Sequence, residues 1–495
     1  MIILSLISAA VIASLAGVSA SKVPPNLEAR PPLQLTDARQ PIRSDIAASI
    51  AWPRVTSDSL FNKTEVMIPM RDGVKLFTKI FVPKSANEPL PFMFIRTPYG
   101  IDGYSSPGIE RSLAFLVKDG YIFVAQDARG KFKSEGEFVM QRAPRIDRKD
   151  PKAIDESTDA YDTIDWMVKN VANNNGRVGM TGVSYPGWLT AMAMLDPHPA
   201  LRAVSPQASP SDMWKGDDFH HNGAFRLSYG FEYATMMESG KDVKPFNMDD
   251  YDTYEWYLKL GSLANVNKKL LNGKIPTWND FSRRPDYDEF WQRQAMKGYL
   301  NRVTVPTLNV AGWWDQEDFY GPVMIYRELE KHDRNKQNFL VVGPWNHGGW
   351  MGGEGSSLGN IQFGQPTGQF FRDSVMGPFF NFYLHDRGKI DLAEALVFEA
   401  GSNVWKRYDS WPPKTDVTQR SLYMREGGAL GWEPPSSTGP TSYDSYVSDP
   451  AHPVPYRQRP VQMTYGPGST WNRWLTEDQR FVHNRPDVAS WELPT

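Results

Sequence analysis

The sequence predicts an α/β fold, a largely parallel sheet with crossover helices, carrying a helical insertion and a β-rich C-terminal part. Three observations lead to it. Compact apolar runs alternate with segments of helical spacing, the pattern of strand–crossover–strand units. That alternation stops near residue 210 and resumes after residue 295. After about residue 390 it gives way to short alternating runs divided by Gly, Pro and Ser turns, the pattern of an all-β sandwich. A length of 495 residues also exceeds what one hydrophobic core fills, so two or three domains are expected.

Taken in chain order, residues 1–20 (MIILSLISAAVIASLAGVSA) are apolar and close on Val18-Ser19-Ala20, a small-residue cleavage pattern. They are expected to be a signal peptide, placing the mature chain in the periplasm or outside the cell, away from the membrane. A basic n-region is missing, and a run of about 20 apolar residues also suits a membrane anchor. The Ala, Ser and Gly content and the cleavage site favour removal, and no later segment is apolar enough to span. Residues 21–60 begin polar and Pro-rich and read as an extended N-terminal arm.

The first part of the α/β domain is expected at 61–209. It opens with two alternating runs around Asp72-Gly73, a hairpin signal. PFMFIRTPYG (91–100) and YIFVAQDARG (121–130) follow as strands, and DESTDAYDTIDWMVKN (155–170) as an acid-capped helix. Then come a strand and turn at RVGMTGVSYPG, a helix at WLTAMAMLD and a strand at LRAVSPQAS. Residues 210–295, rich in aromatics and acids, read as a helical cap. The second part of the α/β domain, 296–388, holds strands at TVPTLNVAGWWD and NFLVVGPWNH with helices at VMIYRELEKH and near FFRDSVMGPFFNFYL. ALVFEA, SLYMRE and PVQMTY then mark the β-sandwich expected over 389–495.

Composition narrows the function classes. Lys and Arg number 54 against 57 Asp and Glu, a net charge of −3 with no basic stripe, so a nucleic-acid surface is not expected. The absence of cysteine excludes disulfides and thiolate chemistry. The 17 Trp, 21 Tyr and 25 Phe fit large cores or aromatic-lined pockets.

Gly182-Val183-Ser184-Tyr185-Pro186-Gly187 contains G-x-S-x-G after a strand and before a helix. Small residues there allow a sharp turn that lifts the serine hydroxyl above the sheet, the nucleophile elbow of the α/β-hydrolase fold. About 0.2 such pentapeptides would occur by chance in a chain this long, so the strand–turn–helix context carries the reading. A serine needs a base to take its proton and a carboxylate to orient that base, following in the order Ser, Asp or Glu, His. Asp315 and His347 each stand just past a strand end, in that order. His220, His221 and His332 lack that placement. Ser184, Asp315 and His347 are therefore the expected nucleophile, acid and base. No H-E-x-x-H or ligand spacing points to a metal, and no cofactor is expected.

RTPYG (96–100), DARGKFKSEG (127–136), GVSYPGW (182–188), GWWDQEDFYG (312–321) and GPWNHGGW (343–350) together resemble the group spanning cocaine esterase, glutaryl acylases and X-Pro dipeptidyl peptidases. Within it the chain looks most like α-amino-acid ester hydrolases, the β-lactam antibiotic acylases. The resemblance covers roughly residues 50–490 and implies a hydrolase domain, a helical cap and a jelly-roll domain. It implies an oxyanion hole from the Tyr99 hydroxyl and the Tyr185 backbone N–H; from the residues alone, Tyr99 reads more readily as a packed rim aromatic than as a donor.

It also implies a three-carboxylate cluster for a substrate α-ammonium, at Asp218, Glu317 and Asp318, with Asp217 the adjacent alternative to Asp218. Without the resemblance, Glu317 and Asp318 read as ordinary acids of a first helical turn. The chain departs from the group in two ways. Pro186 stands where glutamate is expected, and proline at a first helical position leaves the elbow intact. The jelly roll is expected to run on beyond the last residues, so that domain looks incomplete. The implied activity is hydrolysis of α-amino-acid esters through an acyl-enzyme, with transfer of the acyl group to water or a β-lactam amine. An esterase, glutaryl acylase or X-Pro peptidase of different acyl specificity is the alternative, and three acids would repel a glutaryl carboxylate. A degenerate hydrolase fold acting as a binding module is disfavoured by the intact triad. The expected partner is a small-molecule ester or amide, and relatives suggest a homo-oligomer.

Overall fold

The computed structural model describes residues 60–493 apart from 437, 438 and 440–442. The expected signal peptide at 1–20 and all but the last residue of the 21–60 arm lie outside the described residues. Among the described residues, no helix is long and apolar enough to cross a membrane.

Ten strands form one sheet: β1 (Phe61–Pro69), β2 (Lys75–Pro83), β3 (Leu90–Thr97), β4 (Ile122–Asp127), β5 (Asn174–Val183), β6 (Leu201–Gln207), β7 (Thr307–Gly312), β8 (Asn338–Gly343), β9 (Ala395–Glu399) and β10 (Val404–Tyr408). Their spatial order is β1-β2-β4-β3-β5-β6-β7-β8-β9-β10. Strands β3 to β9 run parallel, while β1, β2 and β10 are antiparallel additions at the two ends. The parallel strands are buried along most of their length because helices cover both faces, which is why they read as near-continuous apolar runs.

The helices lie where periodicity put them. Helix α1 (Glu156–Asn170) starts at Asp155, whose carboxylate accepts from the Thr158 N–H while the Thr158 hydroxyl caps the Asp155 N–H in return. It also anchors two of the loop motifs. Arg129 of DARG reaches Asp159 at 2.6 Å, and Arg96 of RTPYG reaches Glu156 at 3.1 Å and Asp159 at 3.4 Å, all of them buried. Removing one member of such a buried network typically costs about 3–5 kcal/mol, because the remaining charge is left uncompensated. The two arginines thus fix the loops after β3 and β4 at the sheet's C-terminal rim.

The segment between β6 and β7 is an insertion, since those two strands pair directly. It is largely helical, with α3 (Leu227–Glu238), α4 (Thr253–Leu260), α5 (Pro276–Arg283) and α6 (Glu289–Gln294). Phe219, Phe231, Trp256, Trp278, Phe281 and Trp291 pack inside it, which accounts for much of the aromatic content.

The C-terminal part differs from the separate β-sandwich expected over 389–495. ALVFEA is β9, parallel to β8 and buried, so the main sheet extends past residue 388 to β10. Four consecutive buried apolar residues mark a strand covered on both faces, not the half-exposed strand of a sandwich. Beyond β10, the described residues contain only one short antiparallel ladder, Tyr423–Arg425 with Ala429–Gly431, and PVQMTY forms no strand. Instead, residues 457–477 lie against the cap and the loop after β7.

Candidate active site

Ser184 stands immediately after β5 with φ 68° and ψ −130°, a conformation side chains rarely adopt. Helix α2 (Tyr185–Ala193) begins one residue later, so strand turns into helix with no intervening loop. The two glycines of the pentapeptide are sterically required. A Cβ at Gly182 would lie 2.4 Å from the Pro186 carbonyl carbon, and one at Gly187 2.4 Å from the Gln207 carbonyl oxygen. Pro186 sits in the first turn of α2, where its missing N–H costs nothing, so the elbow accommodates this departure.

The neighbouring strands end level with β5, since Val183 pairs with Gln207 and Gly312 with Gly343. Asp315 and His347 follow β7 and β8 by a few residues, so all three side chains meet at one rim. His347 Nδ1 lies 2.9 Å from both Asp315 carboxylate oxygens. Asp315 Oδ1 in turn accepts the Glu317 and Asp318 N–H groups at 2.8 and 2.9 Å, which fixes it as a cap of that loop. The other ring nitrogen, Nε2, faces Glu317 Oε2 at 3.2 Å and makes no hydrogen bond among the described residues. The link from Nε2 to Ser184 is thus not formed here; such contacts often tighten only with substrate in place.

Tyr99, after β3, shares a hydrogen bond with the Tyr233 hydroxyl at 2.8 Å and is within side-chain hydrogen-bonding reach of Ser184. Burial first, and then the Glu317 and Asp218 charges, hold its hydroxyl far above the usual phenol range, so it stays a proton donor. Tyr185 supplies its backbone N–H at the start of α2, where first-turn amides lack an intrahelical acceptor. Its own hydroxyl accepts the Gln141 N–H at 2.8 Å, and its ring packs on Phe138 and Trp188. The two groups expected for an oxyanion hole therefore flank Ser184.

Asp218, Glu317 and Asp318 are buried together beside His347. The structure separates Asp218 from Asp217. Asp217 is fully occupied, accepting from Ser211 N–H and Oγ, Asp212 N–H and Gly321 N–H, and serves as a loop brace. Asp218 accepts from the Tyr229 hydroxyl at 2.7 Å and faces the cluster. Asp318 Oδ2 is buried and has no hydrogen-bond partner among the described residues. Arg226, alongside, directs its guanidinium to the carbonyls of Asp218 and Gln316 rather than to a carboxylate.

Desolvation leads the electrostatics. Burial raises all three carboxyl groups and the Asp315 charge adds to it in each, Glu317 reaching about 7 despite the opposing pull of His347, while the Tyr229 hydrogen bond and the His347 and Arg226 charges oppose the rise at Asp218. For His347, burial opposes the cation, but Asp315, Glu317 and Asp218 together outweigh it and push it up to about 10. Ionised together these carboxylates would repel one another, so a further cation placed among them would be favoured. The sequence spacing shows no metal-ligand pattern, yet the fold brings potential ligand atoms of Glu317, Asp318 and His347 within 4.8 Å of one another. A divalent ion there would occupy the imidazole that faces the serine rim.

A consequence is testable. The neutral imidazole is the basic form, so kcat/KM falls as pH drops through the free-enzyme His347 pKa. Glu317→Gln removes one of the charges that raise it. The acidic limb of kcat/KM, measured on a neutral ester, is expected to move to lower pH. An unmoved limb would separate His347 from the rate-determining ionisation.

Four contributing aromatics were not found from the sequence: Tyr229 and Tyr233 on α3, and Tyr465 and Trp471 near the C-terminus. Tyr229 and Tyr233, four residues apart, stack at 5.7 Å and 8°. The only available signal was that i,i+4 tyrosine pair in the cap.

Residues 72–349 match the family model described as X-Pro dipeptidyl-peptidase (S15 family). Cocaine esterase from Rhodococcus sp. (strain MB1 Bresler) is 28% identical over 447 residues, which cover 86% of this chain and 73% of the esterase. Among solved structures, an aminopeptidase from a marine sediment archaeon, Thaumarchaeota archaeon, is 41% identical with a TM-score of 0.82, over 91% of this chain and 75% of the other. An α-amino acid ester hydrolase is 38% identical with a TM-score of 0.81, over 91% of this chain and 76% of that one.

Proposed function

Because the chain belongs to the X-Pro dipeptidyl-peptidase (S15) family and is a serine carboxylic-ester hydrolase, we propose that its substrates are acyl donors with a free α-amino group, α-amino-acid esters foremost. One observation carries this reading: three buried carboxyl groups converge beside His347 and, among the described residues, no Lys or Arg side chain pairs with any of them, one oxygen of Asp318 lacking any partner. Buried charges of one sign are costly unless a counter-charge arrives. A substrate ammonium supplies it and gains charge-assisted hydrogen bonds.

In this mechanism Ser184 Oγ attacks the ester carbonyl and His347 takes its proton through Nε2. Asp315 holds the imidazole by Nδ1, and the Tyr99 hydroxyl and Tyr185 N–H receive the developing oxyanion. The ammonium also draws Glu317 away from Nε2, so binding of the right substrate frees the base to face Ser184. Water, or an amine such as a β-lactam nucleus, then takes the acyl group. The aminopeptidase similarity favours a second reading, cleavage of an N-terminal peptide bond at the same centre. Turnover of an amino-acid methyl ester, its N-acetyl derivative and the matching dipeptide tests both. Fast ester cleavage with a blocked N-acetyl ester supports the first reading. Peptide cleavage at comparable kcat/KM supports the second, and a preferred N-acetyl ester would overturn both.

We also propose that the 1–20 leader directs export. Sequencing of exported protein is expected to begin near Ser21, whereas a membrane-bound chain starting at Met1 would contradict it.

A further inference from the structure

The C-terminal segment bears on the half of the reaction that the acyl-binding groups do not govern. It is tied down at several points. The Thr253 N–H and hydroxyl donate to the Val461 carbonyl at 2.8 and 3.0 Å, and the Thr464 N–H donates to Glu232 Oε2 at 2.7 Å. Farther along, Arg457 pairs with Glu477 and stacks on Trp474. Between these ties the chain carries Tyr465 and Trp471 over the site. The Trp471 ring lies 6.0 Å from the His347 ring, and the Tyr465 ring 6.2 Å from Trp471. Tyr465 also packs on Tyr229 and Tyr233 and reaches Glu317 Oε1 with its hydroxyl at 3.5 Å. Trp471 is only half-buried, leaving ring surface open.

Resting on the proposed roles of Ser184 and His347, we infer that Trp471, backed by Tyr465, forms the leaving-group and acceptor subsite and suits an aromatic group there. The proton route fixes which side this is. When the Ser184 Oγ–carbon bond forms and the carbon–oxygen bond to the alcohol breaks, the departing oxygen keeps the electron pair. It then accepts the proton that His347 took from Ser184, so it must leave beside Nε2. By microscopic reversibility an acceptor amine enters on the same side. It gives a proton to His347 as its carbon–nitrogen bond forms, and Ser184 recovers that proton as the acyl–Oγ bond breaks. Among the described residues the aromatic ring that borders the imidazole is Trp471, and aromatic groups stack favourably on such a face.

Methyl and benzyl esters of one α-amino acid test this, because they share the acyl group and differ by a ring on the leaving alcohol. Wild-type kcat/KM is expected to favour the benzyl ester. Trp471→Ala should lower the benzyl-to-methyl ratio by about tenfold, with Trp471→Phe keeping most of it. The partition of acyl-enzyme to benzylamine over water should fall in parallel. Equal losses on both esters, or an unchanged ratio, would overturn the inference. The same ester pair built on a des-amino acid keeps the test separate: there the ratio must still depend on Trp471 even if the α-amino preference proves wrong.

Discussion

Ser184→Ala is expected to abolish ester hydrolysis, a loss on the order of 10⁶ in kcat, while the protein stays folded. The alanine loses only the hydroxyl, but the hydroxyl is the atom that would form the acyl-enzyme. No side-chain cap of α2 goes with it, since Ser184 makes no such hydrogen bond. The backbone N–H keeps its bond to the Gln207 carbonyl at 2.9 Å. The left-handed φ is as strained for alanine as for serine, so melting should change little. Steady-state rates with thermal melting on the same preparation check this, and near-normal turnover by the folded variant would contradict the mechanism.

The second large effect concerns Asp218→Asn. Asparagine keeps the shape and can still accept from the Tyr229 hydroxyl, but removes one of three charges facing the ammonium. Truncating one side of a buried charge pair typically costs about 2–5 kcal/mol, so roughly 2–4 kcal/mol of the preference for a free amine should disappear. A neutral ester without the amine should be affected far less, because it gains nothing from the charge. The two rates measured on wild type and variant give the comparison. Equal losses on both substrates would make Asp218 a structural residue like its neighbour Asp217.

Much of this site was legible because its residues sit where chain pattern and chemistry coincide. Ser184, Asp315 and His347 each follow an apolar strand, and a parallel sheet aligns strand ends, so their meeting at one rim follows from order and spacing. Asp217 and Asp218 could not be told apart, since neighbours in an irregular loop have no period to assign their directions. Only the bonds from Ser211, Asp212 and Gly321 show which one braces the loop. The boundary at 389 failed because a five-residue run such as ALVFE reads alike as a sandwich strand or a central parallel one. Tyr465 and Trp471 stayed hidden for a different reason. Their segment has little regular structure, and its position depends on tertiary contacts to Asp252, Thr253 and Glu232.

The most direct test of the central claim is the wild-type ratio of kcat/KM for an α-amino-acid methyl ester to that for its des-amino counterpart. If the three buried carboxylates receive a substrate ammonium, the ratio should be roughly 30-fold or more, corresponding to at least about 2 kcal/mol from a desolvated charge pair. A ratio near one would contradict the account, leaving a serine esterase whose buried acids serve some other purpose.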